Sequence, residues 1–136
     1  MAVDSTRRLH ILCVDDDPDT RLLVELSLHL DPHIGAVSVG GAAEAMSALA
    51  EQTFDLVLLD ALMEGTSGLE LLENITKTDG SPPTPVIFLT GDTFRRDRYD
   101  KPGVLGVITK PFDPITLAAV VRSHIAQIDK ERLVAT

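Results

Sequence analysis

The sequence has one cysteine, no tryptophan and one tyrosine, and it is short of positive charge: 12 Lys and Arg stand against 21 Asp and Glu, a formal net charge of −9. A single cysteine cannot form an intrachain disulfide or build a cysteine-rich metal centre. Cys13 lies inside an apolar run and reads as a small buried hydrophobe. The negative field repels phosphodiester backbones and anionic lipid surfaces, so nucleic acid and membranes are poor partners. No stretch approaches the ~18 apolar residues of a membrane span, and the start Met-Ala-Val-Asp-Ser-Thr-Arg-Arg lacks the apolar core of a secretion signal. A reducing cytoplasm is the expected setting. What the chain does have is 44% hydrophobic and 24% charged residues in 136 positions, with few aromatics. That is enough Leu, Val, Ile and Ala for one domain with a core of its own. The expected bounds are 8–128 for the domain, with tails at 1–7 and 129–136.

Four short apolar runs at residues 9–14, 54–59, 85–89 and 104–108, and a weaker one at 36–39, read as strands. Between them lie stretches with helical spacing. Residues 18–30 carry Leu22, Leu23, Leu26 and Leu30 on one face, and residues 42–51 carry Ala45, Met46 and Leu49. Residues 68–78 carry Leu71, Leu72 and Ile75, and residues 114–128 carry Leu117, Val120, Val121 and Ile125. Near-continuous apolar strands alternating with helices predict an α/β fold with a parallel sheet covered on both faces. Right-handed crossovers then bring every strand's C-terminus to one edge.

The chemistry lies in what ends each run. Val14 is followed by Asp15-Asp16-Asp17, Leu59 by Asp60, Leu89 by Thr90, and Ile108 by Thr109-Lys110. Ligands of open α/β sheets bind at that edge. Any one of these residues alone would pass as a loop, cap or surface residue; their coincidence at successive strand ends would not. Asp17, directly before Pro18, reads as a helix cap. Asp15, Asp16 and Asp60 opposite Lys110 leave two negative charges uncompensated, which a divalent cation would cancel. All-oxygen ligation favours Mg²⁺ (or Mn²⁺).

At this point the chain resembles the receiver domain of two-component response regulators. The likeness rests on Ile11-Leu-Cys-Val-Asp-Asp-Asp-Pro18 with Arg21, Asp55-Leu-Val-Leu-Leu-Asp60, Met63 with Gly68-Leu-Glu-Leu-Leu72, Val86-Ile-Phe-Leu-Thr90-Gly91, and Gly106-Val-Ile-Thr-Lys110-Pro111-Phe112. The resemblance implies a doubly wound, five-stranded parallel sheet of order 2-1-3-4-5. It makes Asp60 the phosphoacceptor, and it makes Asp15, Asp16, Asp60 and the carbonyl of Leu62 the Mg²⁺ ligands. Thr90 and Lys110 would hold phosphoryl oxygens, and Lys110-Pro111 would be a cis peptide. The implied function is phosphorylation-dependent signal relay. A sensor histidine kinase or histidine phosphotransfer protein would be the donor and an unidentified target protein the reader. The chain is expected to be a signalling receiver rather than an enzyme, catalysing only its own phosphorylation and dephosphorylation. Met1 agrees with a stand-alone receiver.

The sequence departs from the family pattern at several places. Glu64 stands where proline is usual, and Val107 stands where many receivers carry an aromatic switch residue. Leu62 is apolar, which implies slow dephosphorylation. The interval from Thr90 to Lys110 is about two residues short, and residues 92–101 lack helical periodicity, so ordering of that segment is the expected carrier of the switch. Arg95, Arg96, Arg98 and Lys101, beside Phe94 and Tyr99, read as a solvated basic loop. His10, His29, His33 and His124 have no metal-ligand spacing. A haloacid-dehalogenase-like phosphatase would use Asp15-Asp16-Asp17, but its lysine should precede the Gly-Asp element at 91–92, and Asp60 would have no role. A receiver-like module that is not phosphorylated would ordinarily lack one of the acidic residues or the lysine.

Overall fold

The computed structural model describes residues 6–63, 66–77, 84–91 and 99–135. In chain order it contains β1 (Leu9–Val14), α1 (Pro18–Leu28), β2 (Ile34–Val39), α2 (Ala42–Glu51), β3 (Leu56–Asp60), β4 (Leu62–Met63), β5 (Thr66–Ser67), α3 (Gly68–Thr76), β6 (Val86–Thr90), β7 (Val104–Thr109) and α4 (Leu117–Ala135). Five strands form one sheet in the order β2-β1-β3-β6-β7, and each neighbouring pair is parallel. With the two-residue antiparallel pair β4-β5 set aside, this is the expected 2-1-3-4-5 order. Residues 92–98, which hold most of the segment expected to carry the switch, lie outside the described residues, as does Glu64.

The apolar strands are explained by burial on both faces. Side chains alternate across the sheet. Leu9, Ile11 and Cys13 of β1, Leu56 and Leu58 of β3, and Ile87 and Leu89 of β6 meet Val24 and Leu28 of α1 and Leu117, Val121 and Ile125 of α4. Leu12 and Val14, Val57 and Leu59, and Val86 and Phe88 meet Ala45 of α2 and Leu71, Leu72 and Ile75 of α3 on the other face. Each fully buried aliphatic side chain contributes about 2 kcal/mol by removal from water. Burial also pushes the Cys13 thiol pKa up, so the thiol stays protonated and inert.

Two sequence expectations are corrected here. Leu22, Leu23, Leu26 and Leu30 do not face the core; they are 56%, 43%, 58% and 61% exposed, and α1 instead buries Val24, Ser27 and Leu28. The reason is helix phase. Arg21 donates from Nη1 to the carbonyl of Asp15 at 2.8 Å, which turns position 21 toward the sheet. Positions 24 and 28, three and seven residues on, then share its face. Ser27 fits the interface because its hydroxyl donates to the Leu23 carbonyl at 2.7 Å. Second, Tyr99 is not in a solvated loop. It is 3% exposed, with its ring 4.8 Å from that of Phe88 at 42°.

α4 begins at Leu117 and runs to Ala135, past residue 128. It is tied to the α1–β2 turn by Arg122, whose Nε lies 2.6 Å from Asp31 Oδ2 with both side chains largely buried. The guanidinium and the His33 backbone N–H hold the Asp31 carboxyl below its ordinary pKa. Arg122→Ala leaves that carboxylate without its cation and is expected to cost about 3 kcal/mol at pH 7. A depressed carboxylate pKa gives stability that is present above the unfolded value, about 3.9, and lost as pH falls through the folded value. The difference between wild type and variant in urea titrations should therefore shrink below about pH 4.

Candidate functional site

β1 continues one residue beyond its last ladder position, because the Asp15 N–H donates to the Val39 carbonyl at 3.2 Å. Asp15 Oδ1 then accepts the Asp17 N–H at 2.9 Å, closing the turn that leads into α1. Asp17 is the helix cap, as expected. Its carboxylate accepts from the Asp19 N–H at 3.0 Å and the Thr20 hydroxyl at 2.9 Å, with Pro18 opening the helix. The Thr20 hydroxyl, followed by the Asp19 N–H, draws its pKa down. The first two aspartates of the triplet are thereby separated from the third. Asp15, Asp16 and Asp60 each bring one carboxylate oxygen to within 4.8 Å of the others.

Asp60 is the last residue of β3, the central strand of the sheet, and is 6% exposed. The chain packs tightly behind it. A Cβ on Gly68 would come within 2.8 Å of the Asp60 carbonyl and 3.0 Å of both Ala61 Cα and the Phe88 ring, so α3 can start here only with glycine. On the other side, the Lys110 N–H donates to the Thr90 carbonyl at 2.8 Å, and the Lys110-Pro111 peptide is cis. Lys110 Nζ sits 3.3 Å from Asp15 Oδ2 and 3.4 Å from Asp60 Oδ1. Thr90, 2% exposed, ends β6 beside β3, whose Asp60 is in register with Leu89. Five of the expected site residues, Asp15, Asp16, Asp60, Thr90 and Lys110, thus meet at one edge of the sheet. Leu62 lies in β4, paired with Ser67.

Electrostatics decide what this arrangement can hold. At ~4 Å and an effective dielectric near 20, two like charges repel by about 4 kcal/mol. One lysine offsets only part of the repulsion among three carboxylates. A hard divalent cation fits the remainder, because every donor is oxygen and Mg²⁺ takes one or two carboxylates while keeping waters. Among the described residues this trio is the one cluster of three or more acidic, His or Cys side chains spaced for a metal. The histidines are elsewhere. His10 stacks on Phe54 at 4.3 Å, His29 Nε2 accepts from the Ala36 N–H, and His124 lies against Gly106, where burial lowers its pKa.

Two further residues shape the site. Arg21, six after Asp15, reaches back to that residue's carbonyl, and the spacing is its signal in the sequence. Gly68 lies against the end of β3, and nothing in the sequence shows that contact.

The fold and the site together define a class of regulator. Residues 11–122 match the response regulator receiver domain family, and the chain belongs to it. Its function is phosphorylation-dependent signal relay in two-component systems. The chain is 35% identical over 120 residues to the uncharacterized transcriptional regulatory protein YkoG of Bacillus subtilis, covering 87% of this chain and 51% of that one. It is 33% identical over 122 residues to the sensor protein GacS of Pseudomonas syringae, covering 86% of this chain and 13% of that one. It thus spans about half or less of these relatives' length. Among solved structures it resembles response regulator TrrA of Thermotoga maritima, determined in complex with Mg²⁺-BeF. That likeness has a TM-score of 0.72 and 28% identity, covering 85% of this chain and 98% of that one. The phosphatase alternative gives no role to Asp60, which here occupies the centre of the site.

The division of the acidic triplet is testable. Millimolar Mg²⁺ should stabilise the folded state by about 1–3 kcal/mol at 10–100 times its Kd and so raise the melting temperature. Asp16→Asn should abolish most of this shift, while Asp17→Asn should keep it and lower only the baseline stability. Calorimetric melts of the three proteins decide it, and equal loss in both variants would contradict the assignment.

Proposed function

We propose that Asp60 accepts a phosphoryl group from a phosphohistidine donor and that the phosphorylated chain acts by changing what it binds. The single observation that carries this reading is the position of Asp60 Oδ1. It lies 3.4 Å from Lys110 Nζ and in the same cluster as Asp15 and Asp16. Mg²⁺ held by Asp15, Asp16, Asp60 and the carbonyl of Leu62 would supply charge neutralisation for the transferring group. The chain's own residues do the rest. An Asp60 oxygen attacks phosphorus, the bond from phosphorus to the donor's imidazole nitrogen breaks, and that nitrogen leaves with the bonding pair and takes a proton. Lys110, already between Asp15 and Asp60, follows the phosphoryl oxygens, and the Thr90 hydroxyl accompanies it. The product is an acyl phosphate on Asp60. Its hydrolysis by water is slow in this reading because the residue two positions on, Leu62, offers no group to orient the water.

The donor is a sensor histidine kinase or a histidine phosphotransfer protein, and the reader of the signal is a separate target protein. A protein donor must cover the rim around Asp60, and α1 borders that rim. Its outward leucines Leu22, Leu23 and Leu26, with Ile115 76% exposed after the Lys110 loop, give such a partner an apolar surface to bury. The unit that does this is residues 8–128. The setting is the cytoplasm; among the described residues no helix is long and apolar enough to cross a membrane. The net charge of −9 argues against nucleic acid as a direct partner of this domain.

Incubation with Mg²⁺ and acetyl phosphate should add one phosphoryl group to the wild type and none to Asp60→Asn, read by intact mass. Equal labelling of the Asn variant would refute the acceptor. Leu22→Glu with Leu26→Glu should leave labelling by acetyl phosphate unchanged and slow transfer from the cognate kinase by roughly tenfold or more. Unchanged transfer from the kinase would remove α1 from the docking surface.

A further inference from the structure

We propose that Arg21 is a positioning residue for the acidic site: it fixes the peptide between Asp15 and Asp16 and thereby sets the affinity of the trio for a divalent cation. This rests on the metal reading of Asp15, Asp16 and Asp60 given above.

The geometry is specific. Arg21 Nη1 donates to the Asp15 carbonyl at 2.8 Å, and that carbonyl belongs to the planar peptide joining Asp15 to Asp16. Orienting this plane fixes the start of both side chains at once. Asp15 is held from three directions: its N–H by the Val39 carbonyl, its Oδ1 by the Asp17 N–H, and its carbonyl by Arg21. Its Oδ2 is thereby turned to Lys110. Asp16 is exposed, and the peptide that Arg21 holds is its link to Asp15.

The guanidinium lies against the end of β2. A Cβ built on Gly40, at the end of β2, would lie 3.0 Å from Arg21 Nη1 and 3.5 Å from Cζ, so the head of Arg21 passes directly over a glycine that leaves room for it. The Gly40 N–H donates to Glu44 Oε2 at 3.0 Å, and that oxygen lies 3.7 Å from the same Cβ position. Gly40 at the end of β2 thus makes room for the Arg21 head, and Glu44 of α2 is bonded to the same glycine.

Charge and position predict opposite signs, which makes the proposal decidable. A cation beside a cation site weakens binding by repulsion. If Arg21 acted only through its charge, Arg21→Ala would bind Mg²⁺ more tightly and Arg21→Lys would be neutral. If it positions the peptide, both variants bind more weakly. Lys would do so less, because it keeps a donor without the planar fork. Loss of a charge-assisted hydrogen bond predicts a roughly tenfold weaker Mg²⁺ Kd for Arg21→Ala and a smaller loss for Arg21→Lys. Gly40→Val should reproduce the loss by displacing the guanidinium with Arg21 intact.

The test is isothermal titration of the full chain with MgCl₂, with melts in EDTA to confirm that each variant is folded. Acetyl phosphate labelling across a Mg²⁺ series provides the second readout. The expected result is weaker Mg²⁺ binding in the order wild type, Arg21→Lys, Arg21→Ala, with Gly40→Val also weakened. The labelling rate should recover at saturating Mg²⁺, a split that general destabilisation would not give. Should Arg21→Ala fail to fold, Arg21→Lys and Gly40→Val carry the same comparison. Wild-type or tighter affinity in the folded Arg21 variants and Gly40→Val overturns the proposal. Wild-type affinity in Asp16→Asn instead overturns the metal reading beneath it, so the two failures are distinguishable.

Discussion

Three carboxylates held at the end of two central strands, against a repulsion of several kcal/mol and with one lysine between them, constrain this molecule more than any other feature. Asp15 and Asp60 are buried, so neither can turn to bulk water to relieve it. The relief comes from the backbone. Asp15 is anchored through its N–H, its carbonyl and one carboxylate oxygen, and Asp60 is fixed by its place in β3 beside Gly68. Lys110 is placed by a ladder bond to Thr90. The site is poised to gain from any group that brings positive charge to it. Lys110 lies 3.4 Å from Asp60 Oδ1, where the proposed phosphoryl group would sit.

The same constraint reaches the surface. Arg21 reaches inward to Asp15 from the same face of α1 that buries Val24 and Leu28. Val24 and Leu28 lie toward the sheet, and Leu22, Leu23 and Leu26 of the same helix are left facing water. In the proposed docking, these exposed apolar side chains would flank the rim that a protein donor covers.

Much of this was legible in the sequence, because a sheet buried on both faces gives uninterrupted apolar runs and the residue ending each run is the one presented at the edge. Asp15, Asp60, Thr90 and Lys110 were found that way, and the 2-1-3-4-5 order came with the family likeness. Asp17 was separable from its neighbours because Pro18 marks a helix start. The phase of α1 was not legible. Its apolar residues occur nearly all round the helix, so periodicity alone does not select the face that carries Arg21, Val24 and Leu28 toward the sheet. Tyr99 was misread for a related reason: its neighbours in sequence are charged, and its partner Phe88 is eleven residues away on another element. Gly68 carried no local signal because its neighbour Asp60 precedes it by eight residues across a turn.

The acidic cluster, Lys110 and a divalent cation are proposed to act together at Asp60 and nowhere else. Fluorine NMR of the chain with beryllium fluoride is the direct measurement, since this tetrahedral anion mimics the aspartyl phosphate without any group transfer. Bound fluoride resonances are expected in the presence of Mg²⁺, and none when Mg²⁺ is removed by EDTA or when Asp60 is replaced by Asn. Bound resonances that persist in Asp60→Asn, or that form equally well without Mg²⁺, would contradict this.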